Sequence, residues 1–405
     1  MTEKIEKQYG FIVKLSVLGG IMLQYSTSIA TPALGAISAA MPDVSPELIK
    51  QISTLPNLCM IIFAFLCGQL TKKFTTKKVL YIAIVFLFIG GILPAFFGDI
   101  MFILACRLIF GVGYGLVMPL ASAFIIELFV GNERDAMMGF KGATGAAAGI
   151  IYQTLSGYLA AIHWRYAFLC YFLIIPIAIL MILKLPETPV KKAPETATQQ
   201  GVQAKPKLQP WTWLIISLNI FLQIAAFSFM TNMAIVIQKT SVGTPAHAGL
   251  VMSTFTGITF LSGLCYFVIV KILKRLTLPI SVGLWGLAFV ILLNASSLPM
   301  FFVAAVVFGV GWGLFNPDMN LKVADSVDKM SGNLAIAWYY SFAGIGQFLS
   351  PIALAWVTTI LGITGPKAQW TIAAPFLLIS FIIMIIFVIF YKPKKSQLNT
   401  TTLNS

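Results

Sequence analysis

The sequence predicts an all-α membrane protein with twelve transmembrane helices in two pseudo-symmetric six-helix bundles. Three observations carry this: the composition, the number of long apolar runs, and an internal repeat. Of 405 residues, 59% are hydrophobic and 10% charged, against roughly 25% charged in a soluble domain. With a mean hydropathy of +0.91, the chain lacks the polar surface that a soluble enzyme needs. The net charge of +14 would suggest a nucleic-acid partner in a soluble protein. Here the basic residues lie between long apolar runs, which points to membrane orientation instead and argues against nucleic acid.

A bilayer core of about 30 Å takes around 20 apolar residues per helix. Twelve runs meet that requirement: 11–36, 50–70, 79–97, 101–125, 137–161, 165–185, 212–236, 248–272, 279–297, 300–323, 333–361 and 368–391. Alternating-strand patterning is absent, so a β-barrel is excluded. Twelve spans put both termini on one side. The tails and even-numbered loops then hold 22 of the 27 basic residues, Lys72, Lys73, Lys77, Lys78 and Arg275 among them. The odd-numbered loops hold Lys50, Arg165, Lys239 and Lys367, and Arg107 falls within a span. The bias predicts a multi-pass plasma-membrane protein with both termini in the cytoplasm. It divides into an N-terminal bundle (1–185), a flexible cytoplasmic linker (186–211) rich in Pro, Lys, Gln and Thr, a C-terminal bundle (212–391) and a cytoplasmic tail (392–405). The first run is too long for a signal peptide.

The two halves echo each other. FGVGYGLVMP at 110–119 matches FGVGWGLFNP at 308–317 in seven of ten positions, at an offset of 198. IMLQ at 21–24 pairs with IFLQ at 220–223, FLCG at 65–68 with FLSG at 260–263, and QTLSG at 153–157 with QFLSP at 347–351. Four echoes in order, joining spans 1/7, 2/8, 4/10 and 5/11, are a parallel repeat of six helices.

Polarity divides the spans too. Spans 3, 6, 9 and 12 have almost no polar side chains at mid-depth. The others carry Gln24, Asn57, Arg107, Gln153, Asn219, Gln223, Asn232, Thr254, Thr256, Asn316, Tyr339, Tyr340 and Gln347. Polar groups in lipid are costly unless they face protein or water, so every third helix is expected to face lipid while eight surround a wet cavity. The five cysteines read as small buried hydrophobes. No catalytic cluster, P-loop or metal-ligand spacing is present, so neither an enzyme nor a cofactor or metal site is expected.

This pattern resembles the major facilitator superfamily over essentially the whole chain. That family's loop after helix 2 reads Gly-x-Leu-Ala-Asp-Arg-x-Gly-Arg-Lys. Here Gly68, Leu70, Lys73 and Lys77 fit, while Lys72 replaces the Asp and Thr75 the second Gly. The resemblance implies a latch at the cytoplasmic ends of the halves, with Glu127 available to pair with Lys77 or Lys78. The alternative is a solvated basic cluster. Arg107, Gly111 and Gly113 match the family's Arg-x-x-x-Gly-x-Gly signature, in which the glycines allow close helix approach. The Gly-Pro-x-x-Gly-Gly segment of drug–proton antiporters is missing from span 5. Only Gly157 survives from it, ahead of Trp164–Arg165.

The resemblance implies a secondary transporter that acts as a monomer on a small molecule, with a proton or ion as a candidate coupling partner. Arg107 has no echo in span 10, where Ala305 stands. An unrepeated intramembrane Arg is a substrate or coupling candidate by default. Helical rise puts it at about the depth of Gln24. Gln24, Arg107, Gln153, Gln223, Trp312, Asn316, Tyr339 and Tyr340 form the expected substrate site. Gly68, Lys73, Lys77, Gly111, Gly113 and Glu127 are the expected gating residues. All thirteen acids lie at or near predicted membrane edges, leaving Glu127 or Asp318 as proton sites. His163 and His247 fall in external loops as solvated side chains. Two substrate readings stay open. Efflux of drug-like or metabolite compounds is preferred. Uptake or exchange of a small organic anion held by Arg107 is the alternative.

Overall fold

The computed structural model describes residues 9–187, 208–327 and 332–390, and every regular element among them is helical. Most of the expected linker and the whole C-terminal tail lie outside the described residues. Twelve helical segments follow in order: α1 Phe11–Ala40, α2 Pro46–Leu70, α3 Thr76–Ala95, α4 Ile100–Leu128, α5 Gly131–Ile162, α6 Trp164–Lys184, α7 Pro210–Lys239, α8 Pro245–Leu273, α9 Thr277–Asn294, α10 Leu298–Asp325, α11 Gly332–Ile360 and α12 Ala368–Phe390.

Several helices begin before their apolar runs because a cap lies outside the run. Ser45 and Pro46 start α2, Thr75 starts α3, and the Asp99 carboxylate accepts from the Phe102 amide at 2.8 Å to start α4. His247 Nδ1 accepts from the Thr244 amide at 3.1 Å, and His163 Nδ1 from the Arg165 amide at 3.2 Å. Both imidazoles therefore serve at helix starts: His163 lies between α5 and α6, whereas His247, expected in a loop, sits in the first turn of α8 and forms a capping box with Thr244. By length and hydropathy ten stretches qualify to cross a membrane. One of these, Pro245–Asn294, is two helices, parted where Lys274 takes a φ of +50°. The remaining span is α5, richer in polar residues and packed along α8.

In α1 the middle turns, Ser26–Ala33, tighten to a 3-10 helix around Pro32. Pro32 has no N–H to give, and the Ile29 carbonyl accepts instead from Ser156 of α5 at 2.5 Å. Irregular backbone at membrane depth is tolerated where protein or water satisfies it.

The repeated glycine motif docks equivalent helices in each half. A Cβ on Gly111 or Gly115 would strike α2 at Cys59 or Phe63, and one on Gly113 would meet the Ala83 carbonyl of α3 at 2.6 Å. In the second half, Gly309 and Gly313 lie against α8, and Gly311 meets the Ser281 carbonyl of α9 at 2.7 Å. Between the halves, α1 packs on α7, α5 on α8, and α2 on α11. The tightest approaches lie at the end remote from the lysine-rich loops. A Cβ on Gly35 would collide with the Ala234 carbonyl, and one on Gly157 would meet the Pro245 carbonyl at 2.8 Å.

Candidate functional site

A cavity of about 410 Å³ lies between the halves. Its walls come from α1, α2, α4, α5, α7, α8, α10 and α11, the eight helices with polar residues at mid-depth. The two walls differ. The first half contributes mainly polar groups: Gln24, Tyr25, Thr27, Ser28, Thr31, Ser53, Asn57, Tyr114 and Gln153. The second half contributes Phe227, Met230, Met252, Phe255, Phe260 and Trp312, with Thr256, Thr259 and Gln347. Among the described residues that line it, none is charged.

Two hydrogen bonds cross the cavity, and they are copies of each other. Gln153 of α5 accepts from Thr256 of α8 at 2.9 Å. Gln347 of α11 accepts from Asn57 of α2 at 3.2 Å, and donates to Gln223 of α7 at 3.3 Å. Gln153 and Gln347 are the first residues of the QTLSG and QFLSP echo. The serine of each echo ties its helix to its own half: Ser156 to the Ile29 carbonyl and Ser350 to the Ile224 carbonyl. One side chain of each motif thus reaches across, while another holds the helix in place.

Arg107 does not line this cavity. It is 1% exposed, and its guanidinium turns into the first half. It donates to the Tyr171 hydroxyl at 2.8 Å and to the carbonyls of Gly90 and Gly91. The rings of Phe110, Phe168 and Tyr171 surround it at 4.9–5.4 Å. A buried cation needs partners for its donors; the Tyr171 hydroxyl and the two glycine carbonyls supply them for the terminal nitrogens, while Nε has none among the described residues. Shared depth with Gln24 was an insufficient guide, because a long side chain can turn along its helix toward neighbours.

Of the other expected substrate residues, Gln24, Gln153 and Trp312 line the cavity, and Gln223 joins it through Gln347. Asn316 donates to the Trp312 carbonyl of its own helix, Tyr339 is buried, and the Tyr340 hydroxyl accepts from Asn320 at 3.0 Å. None of these three is among the lining residues. The 3-10 turn of α1 supplies three lining residues that periodicity missed, Thr27, Ser28 and Thr31, and Pro32 after STSIAT was the available signal.

Of the expected gating residues, Gly111 and Gly113 sit at the helix contacts described above. Gly68 has open space where a Cβ would stand, and Lys73 is exposed. The Lys77 ammonium lies 5.9 Å from the Tyr81 ring, and Glu127 accepts from Thr76 at 3.4 Å. Asp318 is 4% exposed, more enclosed than its place near a span edge suggests. It pairs with Lys322 at 2.6 Å and accepts from Tyr266 at 3.0 Å. Four of the cysteines are buried as expected, but Cys265 is exposed.

The model of the Major Facilitator Superfamily matches residues 16–239 and again 218–403. The chain belongs to this superfamily. One superfamily relative is the putative niacin/nicotinamide transporter of Bacillus subtilis, 26% identical over 181 residues. That match covers 43% of this chain and 45% of the relative, so the alignment spans under half of its length. The bacillibactin exporter of Bacillus subtilis is 21% identical over 401 residues, 94% of this chain and 97% of that protein. A solved nucleoside transporter superposes with a TM-score of 0.73 at 18% identity, covering 93% of this chain and all of that one. At that identity the likeness concerns the fold alone.

Proposed function

We propose that this protein is a secondary transporter that exports an uncharged or amphipathic small molecule by alternating access. The observation that carries the reading is the uncharged, two-faced cavity. Its polar wall suits hydroxyl, amide or ring-nitrogen groups of a substrate, and its aromatic and Met wall suits an apolar body. Both bundles contribute walls, so rocking of the halves would open the site to either face in turn. The bias of basic residues toward the even-numbered loops supports cytoplasmic termini in a plasma-membrane protein. The bacillibactin exporter, matched over 97% of its length, supports the export direction.

The organic-anion reading has less support, because Arg107 is buried, does not line the cavity, and has its terminal nitrogens engaged with Tyr171, Gly90 and Gly91. The test is thermal stabilisation of the purified protein across a compound library, followed by flux in proteoliposomes under an imposed pH gradient. Neutral amphipathic compounds should stabilise it, and Gln153→Ala should weaken that effect. Stabilisation by anions alone, lost on changing Arg107, would overturn the proposal.

A further inference from the structure

At the end remote from the lysine-rich loops lies a second cavity, of about 400 Å³. Like the first it spans the two halves. Helix α2 contributes Glu47 and Lys50; α7 contributes Asn232 and Lys239; Thr358, Gly365 and Gln369 close the far wall. It is chemically unlike the first cavity, because charged side chains line it.

Lys50 stands out. It is 4% exposed, although lysine is rarely buried without a partner. Glu47, one turn earlier, and Lys239, from the other half, act on it electrostatically. With two ammonium groups against one carboxylate, the lining leaves an excess positive charge in a partly desolvated space. The floor is already satisfied: Asn232 donates to Gln369 at 2.9 Å, and Gln369 donates to the Pro351 carbonyl at 3.2 Å. The nearby Lys367 ammonium is turned away toward the carbonyls of Leu293 and Ala295. Lys50 and Lys239 are thus the groups left to meet a ligand.

We propose that this cavity binds a phosphate oxyanion between Lys50 and Lys239. Such a group would neutralise the charge excess with charge-assisted hydrogen bonds. It would also bridge α2 of the first half and α7 of the second, near where Gly35 meets Ala234, and so favour the state closed at this end. The oxyanion comes from free phosphate or from a phospholipid headgroup.

Full-length protein in phosphatidylcholine nanodiscs, titrated with sodium phosphate against sodium chloride at matched ionic strength, tests the free anion. Nanodiscs containing phosphatidylglycerol test the headgroup. The expected result is a rise in unfolding temperature with at least one phosphate source, at least about tenfold weaker in its concentration dependence for Lys239→Met. Lys50→Met should raise the baseline temperature and lose the response, while Lys50→Arg should keep it. If neither source stabilises the wild-type protein, or if Lys239→Met responds as the wild type does, the proposal is overturned.

Discussion

Helices α4 and α10 carry the same glycine pattern and dock it in the same way, yet what they bury beside it differs. In the first half Arg107 sits under α3 and α6, tied to Tyr171 and to the Gly90 and Gly91 carbonyls. In the second half the equivalent position is Ala305, and the adjoining space holds an aromatic cluster. Phe229 and Phe308 stack at 4.1 Å, and Trp285 packs on Phe308, Trp312 and Phe315. The repeated residues encode how backbones approach. The unrepeated ones encode how each half fills its interior, with a hydrogen-bonded cation in one and with ring packing in the other.

Arg107→Met should give the largest effect. It leaves the Tyr171 hydroxyl and two carbonyls without their donor, and empties the space among three rings. Each buried polar group left without its partner costs about 1–3 kcal/mol. The expected outcome is a large drop in unfolding temperature, with the fraction that still folds binding substrate as the wild type does. Equal stability with lost binding would instead put Arg107 in the transport site. The second half offers a control: Ala305→Gly removes one methyl group and should cost far less.

Gly113→Ala and Gly311→Ala should come next, and should match. Each new Cβ would meet a carbonyl oxygen at 2.6 or 2.7 Å, so a helix must shift. Overpacking of this kind costs about 1–3 kcal/mol. Unfolding temperatures that fall by similar amounts would establish the equivalence of the two docking sites. A clear asymmetry would break it.

The crossing glutamines sharpen the comparison further. Gln153→Leu and Gln347→Leu each remove one hydrogen bond between halves. Interhelical side-chain bonds in membranes average about 0.6 kcal/mol, so stability should change little. Substrate affinity should fall for both, read from ligand-induced thermal shifts. A drop for one glutamine alone would mean that the substrate lies on one wall of the cavity.

Much of the fold was legible in the sequence, because crossing a membrane constrains the chain strongly. The break at Lys274 inside a long apolar stretch and the pairing of 110–119 with 308–317 were both readable. The candidate site was less so. Gln153 was visible as a polar residue at depth, but its partner Thr256 lies 103 positions away, on a helix of the other half. Arg107 misled for the same reason: Tyr171 and the Gly90 carbonyl belong to other helices, and no local pattern names them. The 3-10 turn of α1 depends on Ser156, which only the folded chain brings beside Ile29.

The smallest expected effect concerns a third equivalence, at the starts of α6 and α12. Arg165 lies against Gly98, just after α3, and Lys367 donates to the Leu293 and Ala295 carbonyls at the end of α9. In each half a cation thus meets the C-terminal end of the third helix, where the macrodipole favours positive charge by about 0.3–1 kcal/mol at exposed sites. Partial burial nonetheless lowers the pKa of Lys367 from its ordinary 10.5. Below the lowered value, folded and unfolded chains are both protonated and the burial penalty is fully present. Between that value and 10.5 the unfolded chain binds more protons, so stability rises with pH across this window. Solvent exposure keeps the rise small. Lys367→Met should abolish the rise, read as unfolding temperature against pH, whereas the wild type should keep it. Arg165→Met, which leaves Lys367 in place, should leave the pH slope unchanged while lowering stability slightly at every pH. A pH slope that survives Lys367→Met would assign the titration to another group.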